Sequence, residues 1–175
     1  MAAEYHYPPL SCNGQEGIAW CSAVVAGAFY SWPKQERKVV NIKRVVIFTD
    51  GAAEPNPGPA AIGAIIKDKQ GRLITTIARS IGRATNNQAE YKAIIAALEH
   101  AITLGANQVE IHSDSELVVR QINGEYRVKK ATLKPLYQQV KRLQSQLKSF
   151  TITHIPRQQN IEADNLANKA LNGYS

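Results

Sequence analysis

Four acidic residues stand where an acid is costly to place, and their surroundings suggest what they do. Asp50 closes the run Val45-Val46-Ile47-Phe48-Thr49-Asp50-Gly51, whose β-branched and aromatic residues read as a buried strand. A turn rich in Pro, Gly and Asn over 52–59 follows and is expected to stop the ladder after Asp50. Glu90 falls in the first turn of a helix predicted over 86–104, and steps of four from it reach Ile94, Leu98 and Ile102, the inward stripe. Asp114 follows a short strand at 109–112, and Asp164 lies in the opening turn of a last helix, in line with Ala167 and Leu171. Each has an ordinary reading as a turn former, a helix cap or a complement to the helix dipole. Together, two at strand ends and two at helix starts, they gather at one edge of an open α/β sheet. Like charges crowded there repel, and burial raises the cost, so a cation is needed to fill the cluster. Oxygen ligands without cysteine favour a hard ion, Mg²⁺ or Mn²⁺.

The elements that must carry these acids follow from periodicity. A strand over 43–50 precedes apolar β-leaning runs at 60–66 and 73–81, joined by the turn Lys67-Asp68-Lys69-Gln70-Gly71. After the helix, which Gly105 ends, come the strand at 109–112 and a helical stretch from Ser115 to Ile122. A helix over 133–147 follows, with Pro135 in its first turn, then a strand at 150–155 and the helix over 160–171. Three antiparallel strands followed by strand–helix–strand connections define an α/β fold with a mixed five-stranded sheet and helices packed on it.

The chain of 175 residues suits one domain with an appendage, read as an N-terminal extension over 1–40 and a catalytic domain over 41–175. Its 21 Lys+Arg against 14 Asp+Glu make it basic. Residues 1–32 hold Glu4 and Glu16 and no base, a net of −2 against +7 overall, so residues 33–175 carry +9. So basic a domain seeks a polyanion, most often nucleic acid. The extension, with its apolar run at 18–32 read as a short helix or hairpin, carries no role that its residues reveal. That run is shorter than the ~20 residues of a membrane span, and two cysteines, Cys12 and Cys21, make no disulfide framework or zinc pattern. The expectation is a cytoplasmic protein without membrane attachment.

Four blocks in order carry a family resemblance. Thr49-Asp50-Gly51 with Asn56-Pro57-Gly58-Pro59, then Thr85-Asn86-Asn87-Gln88-Ala89-Glu90, then Ser113-Asp114-Ser115, then Asn160-Ile161-Glu162-Ala163-Asp164 together resemble type 1 ribonuclease H. The resemblance covers residues from about 43 to 172. It implies the ribonuclease H-like fold, with helices on both faces of the sheet. It also implies an endonuclease that cuts the RNA strand of RNA–DNA hybrids, leaving 5′-phosphate and 3′-hydroxyl ends. Asp50, Glu90, Asp114 and Asp164 would hold two divalent ions, and Glu90 would accept a hydrogen bond from the 2′-hydroxyl that marks RNA. Gly51, Asn56, Thr85, Asn86, Asn87 and Ser115 would contact the hybrid, the Asn residues beside the turn and cap chemistry that they perform in any case.

The chain departs from the family pattern twice. The segment before Asp164, His154-Ile155-Pro156-Arg157-Gln158-Gln159-Asn160, is short. Arg157 is the candidate for the auxiliary role that a loop histidine plays in many members, while His154 alternates with Ile155 and is expected to face away. The stretch 123–134 is also too short for a basic helical protrusion, leaving Arg127, Lys129, Lys130 and Lys134 to grip the DNA strand from a loop. The alternatives are an inert hybrid-binding module and a nuclease of another duplex class on this fold. No obligate protein partner is implied, and a monomer is expected.

Overall fold

The computed structural model describes residues 42–173, together with a two-residue antiparallel pairing of Val24–Val25 with Ala28–Phe29. The other readings for the first 41 residues lie outside the described residues. The chain divides after Lys38 into two units, and the second, Val39–Ser175, holds the five-stranded sheet.

Its elements in chain order are β1 (Arg44–Ala53), β2 (Gly58–Asp68), β3 (Leu73–Ala84), α1 (Asn86–Thr103), β4 (Gln108–Ser113), α2 (Glu116–Ile122), α3 (Lys134–Gln144), β5 (Ser149–His154) and α4 (Ile161–Leu171). A single 3₁₀ turn, Arg157–Gln159, leads into α4. The sheet order is β3-β2-β1-β4-β5, antiparallel across β1, β2 and β3 and parallel from β1 to β4 to β5. Hairpins need only short turns, whereas the parallel strands are joined through helices.

Alternation along β1 sends its side chains to two different layers. Val45 and Ile47 join Ile66, Ile111 and Ile152 under Tyr91, Ile94 and Leu98 of α1, with Val118 of α2 and Val140 of α3 completing the main core. On the other face α4 lies over β2 and β1. Two glycines allow these close approaches. A Cβ at Gly51 would run into the backbone of Ala89 and Glu90 on α1, and one at Gly63 into the backbone of Ala163 and Ala167 on α4. Gly63 pairs with Asp50 across the ladder, so Asp50 shares the α4 face while Gly51 lies against α1.

Two expectations about the acids need correction. The β1 ladder does not stop after Asp50. It continues through Gly51, Ala52 and Ala53, paired with Ile62, Ala61 and Ala60. Alanine and glycine keep both backbone partners, so only the residues from Glu54 onward, with Pro55 and Pro57 lacking N–H donors, break it. Glu90 lies beyond the first turn of α1, which contains no acid. The helix starts at Asn86 because Thr85 and Gln88 form a reciprocal capping box. Glu90 is therefore aimed by helix phase and not placed for the helix dipole.

Candidate active site

At the rim where β1 and β4 part, a cleft of about 220 Å³ is lined by Asp50, Glu90, Asp114, Asp164, Arg157 and Asn86, among others. Ligand oxygens of Asp50, Glu90 and Asp114 all lie within 4.8 Å of one another. Asp50 reaches the cleft from within β1, Glu90 from α1 where Gly51 lets the helix sit on the strand, and Asp114 from the first residue after β4. Asp164, on the first turn of α4, lines the same cleft but is not part of the close trio. Its Oδ1 accepts from Arg157 Nη2, and its Oδ2 accepts from Asn168 Nδ2 at 3.1 Å.

The electrostatics follow from this crowding. Burial, then the charges of Asp114 and Asp164, push the Asp50 carboxyl from an ordinary 3.8 up to about 7, with Arg157 and the Gly51 N–H pulling the other way. Glu90 is raised well above the usual range, first by burial and then by Asp50 and Asp114. Its Oε2 is buried and has no hydrogen-bond partner among the described residues. An all-oxygen set, crowded enough to hold protons near neutral pH and with an orphaned acceptor, fits a hard divalent cation.

The remaining sequence candidates fall in different places. Asn86 lines the acid cleft and accepts from the Ala53 N–H at 2.8 Å, while its own N–H donates to Asn56 Oδ1 at 3.1 Å. Asn56 thus braces the first turn of α1. Thr85 is spent on the capping box, and Ser115 is the N-cap residue of α2, its N–H donating to Ser113 Oγ at 3.2 Å. Gly51 has a packing reason to be glycine, described above. Asn87 opens on a second groove, of about 470 Å³, with Gln121, Tyr126, Arg127, Lys129 and Lys130. His154 ends β5, exposed, and is not among the residues lining the cleft.

Two residues had escaped the reading of the sequence as site residues. Asn168 sits four residues after Asp164 on α4, a spacing that helical phase alone would have flagged. Asn160 is almost fully buried, and its Nδ2 donates both to Asp114 Oδ1 and to the Thr49 carbonyl, each at 2.9 Å. Its partners are 46 and 111 residues away, a separation that no local pattern encodes.

A mixed sheet in this order, with an acid cleft at the rim, belongs to the class described as reverse transcriptase-like, and that family matches residues 48–170. Within that class, the chain belongs to the type 1 ribonuclease H family. It is 42% identical over 128 residues to ribonuclease HI of Halobacterium salinarum, covering 73% of this chain and 64% of that protein. The crystal structure of ribonuclease H1 from that archaeon superposes with a TM-score of 0.72, covering 74% of this chain and 98% of that one. A bifunctional protein of Mycobacterium tuberculosis is likewise 42% identical, over 73% of this chain but only 35% of its own length. LC11-RNase H1, solved in complex with an RNA/DNA hybrid, is 40% identical with a TM-score of 0.70, over 73% of this chain and 96% of that one. The chain thus spans under two thirds of both curated relatives.

Proposed function

We propose that this chain is a divalent-metal-dependent endonuclease that hydrolyses the RNA strand of RNA–DNA hybrids, leaving 5′-phosphate and 3′-hydroxyl ends. The observation that carries this reading is the meeting of Asp50, Glu90 and Asp114 oxygens within 4.8 Å, with Asp164 on the same cleft. Asp50, Glu90 and Asp114, with Asp164 once Arg157 yields it, would hold two Mg²⁺ or Mn²⁺ ions. When bound, such ions acidify a water and neutralise charge on the leaving oxygen. The residues of the chain do the rest. Glu90 keeps an acceptor oxygen for a ribose 2′-hydroxyl, which DNA lacks. Arg157, the one basic side chain lining the cleft among the described residues, compensates the acids and is placed to meet a phosphate. Asn86, braced by Asn56, offers an amide at a helix start to the nucleic-acid backbone, Thr85 holds that helix start through its capping box, and Asn87, Ser115 and the Gly51 backbone complete the contacts. Tyr126, Arg127, Lys129 and Lys130 form a basic, partly aromatic groove for the second strand.

This reading takes the chain as a monomer acting in the cytoplasm. Among the described residues, no helix is long and apolar enough to cross a membrane. The test replaces Asp50 with Asn. Cleavage of a labelled hybrid should fall by about 10²- to 10³-fold, on the scale of a lost transition-state interaction, with hybrid affinity within a few-fold of the parent. Chelator should stop the parent enzyme, and RNA–RNA and DNA–DNA duplexes should survive it. Cleavage that continues in chelator, or in the Asp50→Asn protein, would remove the proposed chemistry.

A further inference from the structure

Thr49 and Ser113 form the last paired rung between β1 and β4. Beyond it the strands part: β1 continues along β2 while the chain after β4 turns into α2. Asp50 and Asp114 are the next residues on either side of that split, so the ladder that sets the spacing of their strands ends just before it must set theirs. Asn160 sits across the opening. One side-chain amide donates to the Thr49 carbonyl and to Asp114 Oδ1, while the Asn160 carbonyl accepts from the Asp164 N–H at 3.0 Å. Its own N–H donates to the Arg157 carbonyl at 2.9 Å. Asn160 therefore touches the strand of Asp50, the carboxylate of Asp114, the helix start of Asp164 and the turn that presents Arg157.

The ordinary reason for Asn before a helix does not apply. Asn160 occupies the N-cap position of α4, yet its side chain makes no capping hydrogen bond. Its Oδ1, the atom a cap would use, is buried with no partner among the described residues. Both side-chain N–H bonds are directed at the site, and an acceptor is left unsatisfied to keep them there. Aspartate has no such donors, and serine has only one.

We propose that Asn160 is a positioning residue that fixes the separation of Asp50 and Asp114 for divalent-ion binding, a role that rests on the metal-dependent reading given above. Removing a buried partner that orients a ligating carboxylate typically weakens metal binding by about 10- to 100-fold. The experiment is a calorimetric titration of the full 175-residue chain with Mn²⁺ alone, comparing the parent, Asn160→Ala and Val118→Ala. Val118 is a fully buried core residue outside the cleft and controls for lost stability. Asn160→Ala should lose Mn²⁺ affinity by about 10- to 100-fold. The Mg²⁺ concentration for half-maximal cleavage should rise in parallel, and saturating Mg²⁺ should recover most of kcat. Val118→Ala should melt earlier and bind Mn²⁺ as the parent does. If Asn160→Ala does not fold, Asn160→Ser, which keeps one donor, is titrated in its place and should show a smaller loss in the same direction. Mn²⁺ affinity within twofold of the parent in the folded variant overturns the role of Asn160 alone. A parent chain that takes up no Mn²⁺ overturns the metal site itself, and the two failures are distinct.

Discussion

Asp50 is only 6% exposed and shares its cleft with Glu90, Asp114 and Asp164, so its ionised form exists against its surroundings. The folded carboxyl holds its proton up to about pH 7, whereas the unfolded one releases it near 3.8. Below that lower value both states are protonated and the fold incurs no penalty. As pH rises from about 4 to about 7 only the unfolded chain gains by ionising, so stability falls, by on the order of 4 kcal/mol for a change of this size. Glu90 moves the same way. With chelator present, the melting temperature should therefore be lower at pH 8 than at pH 5. Asp50→Asn should flatten that dependence and raise the pH 8 melting point, and Mg²⁺ should do the same for the parent. Equal melting of the chelated parent at both pH values would show the acids are not crowded. Arg157 tests the same field from the other sign, since it pulls both carboxyls down. Arg157→Ala should shift the acidic limb of the kcat/KM profile to higher pH and slow cleavage severalfold at neutral pH, with Arg157→Lys intermediate.

Elements deliver these residues, and two glycines set the tolerance. An alanine methyl at position 51 would meet α1 backbone beside Glu90, and one at 63 would meet α4 backbone. Backbone cannot rotate aside as a side-chain tip can, so each Gly→Ala change should cost about 1–3 kcal/mol, the usual range for overpacking. The functional outcomes should differ. Gly51→Ala displaces the turn bearing Glu90 and should lower kcat at any Mg²⁺ concentration. Gly63→Ala shifts α4, where Asp164 is already shared with Arg157 and Asn168, and should act mainly on the metal requirement. Urea unfolding read beside cleavage rates would separate the two, and identical kinetic signatures would refute the distinction. The order of the strands and helices was legible in the sequence because period-2 and period-3.6 patterns are local. The end of β1 was not, because whether 51–53 keep pairing depends on Ala60, Ala61 and Ile62 across the ladder. The acids could be named from their odd positions, but the pairing of Asp164 with Arg157 and the reach of Asn160 to Thr49 depend on contacts between segments far apart in the sequence.

On the scale of the whole molecule, charge is the property read most directly, since the +9 carried by residues 33–175 needs no fold to be counted. Where that charge acts does need the fold. Arg127, Lys129 and Lys130 line the groove that Asn87 and Tyr126 share, and Lys134 lies exposed at the start of α3. If these four side chains neutralise four phosphates of the hybrid, log affinity should fall with log salt at a slope near −3.6, about 10²-fold between 50 and 200 mM. Replacing Lys129 and Lys130 together with Ala should halve that slope and leave about a tenfold dependence over the same range. The measurement is fluorescence anisotropy on a labelled hybrid in the Asp50→Asn background, where binding can be followed without turnover. Because these lysines lie outside the acid cleft, kcat in the otherwise native protein should stay within twofold once substrate saturates. A double variant with the parental salt slope would place the second strand elsewhere on the surface.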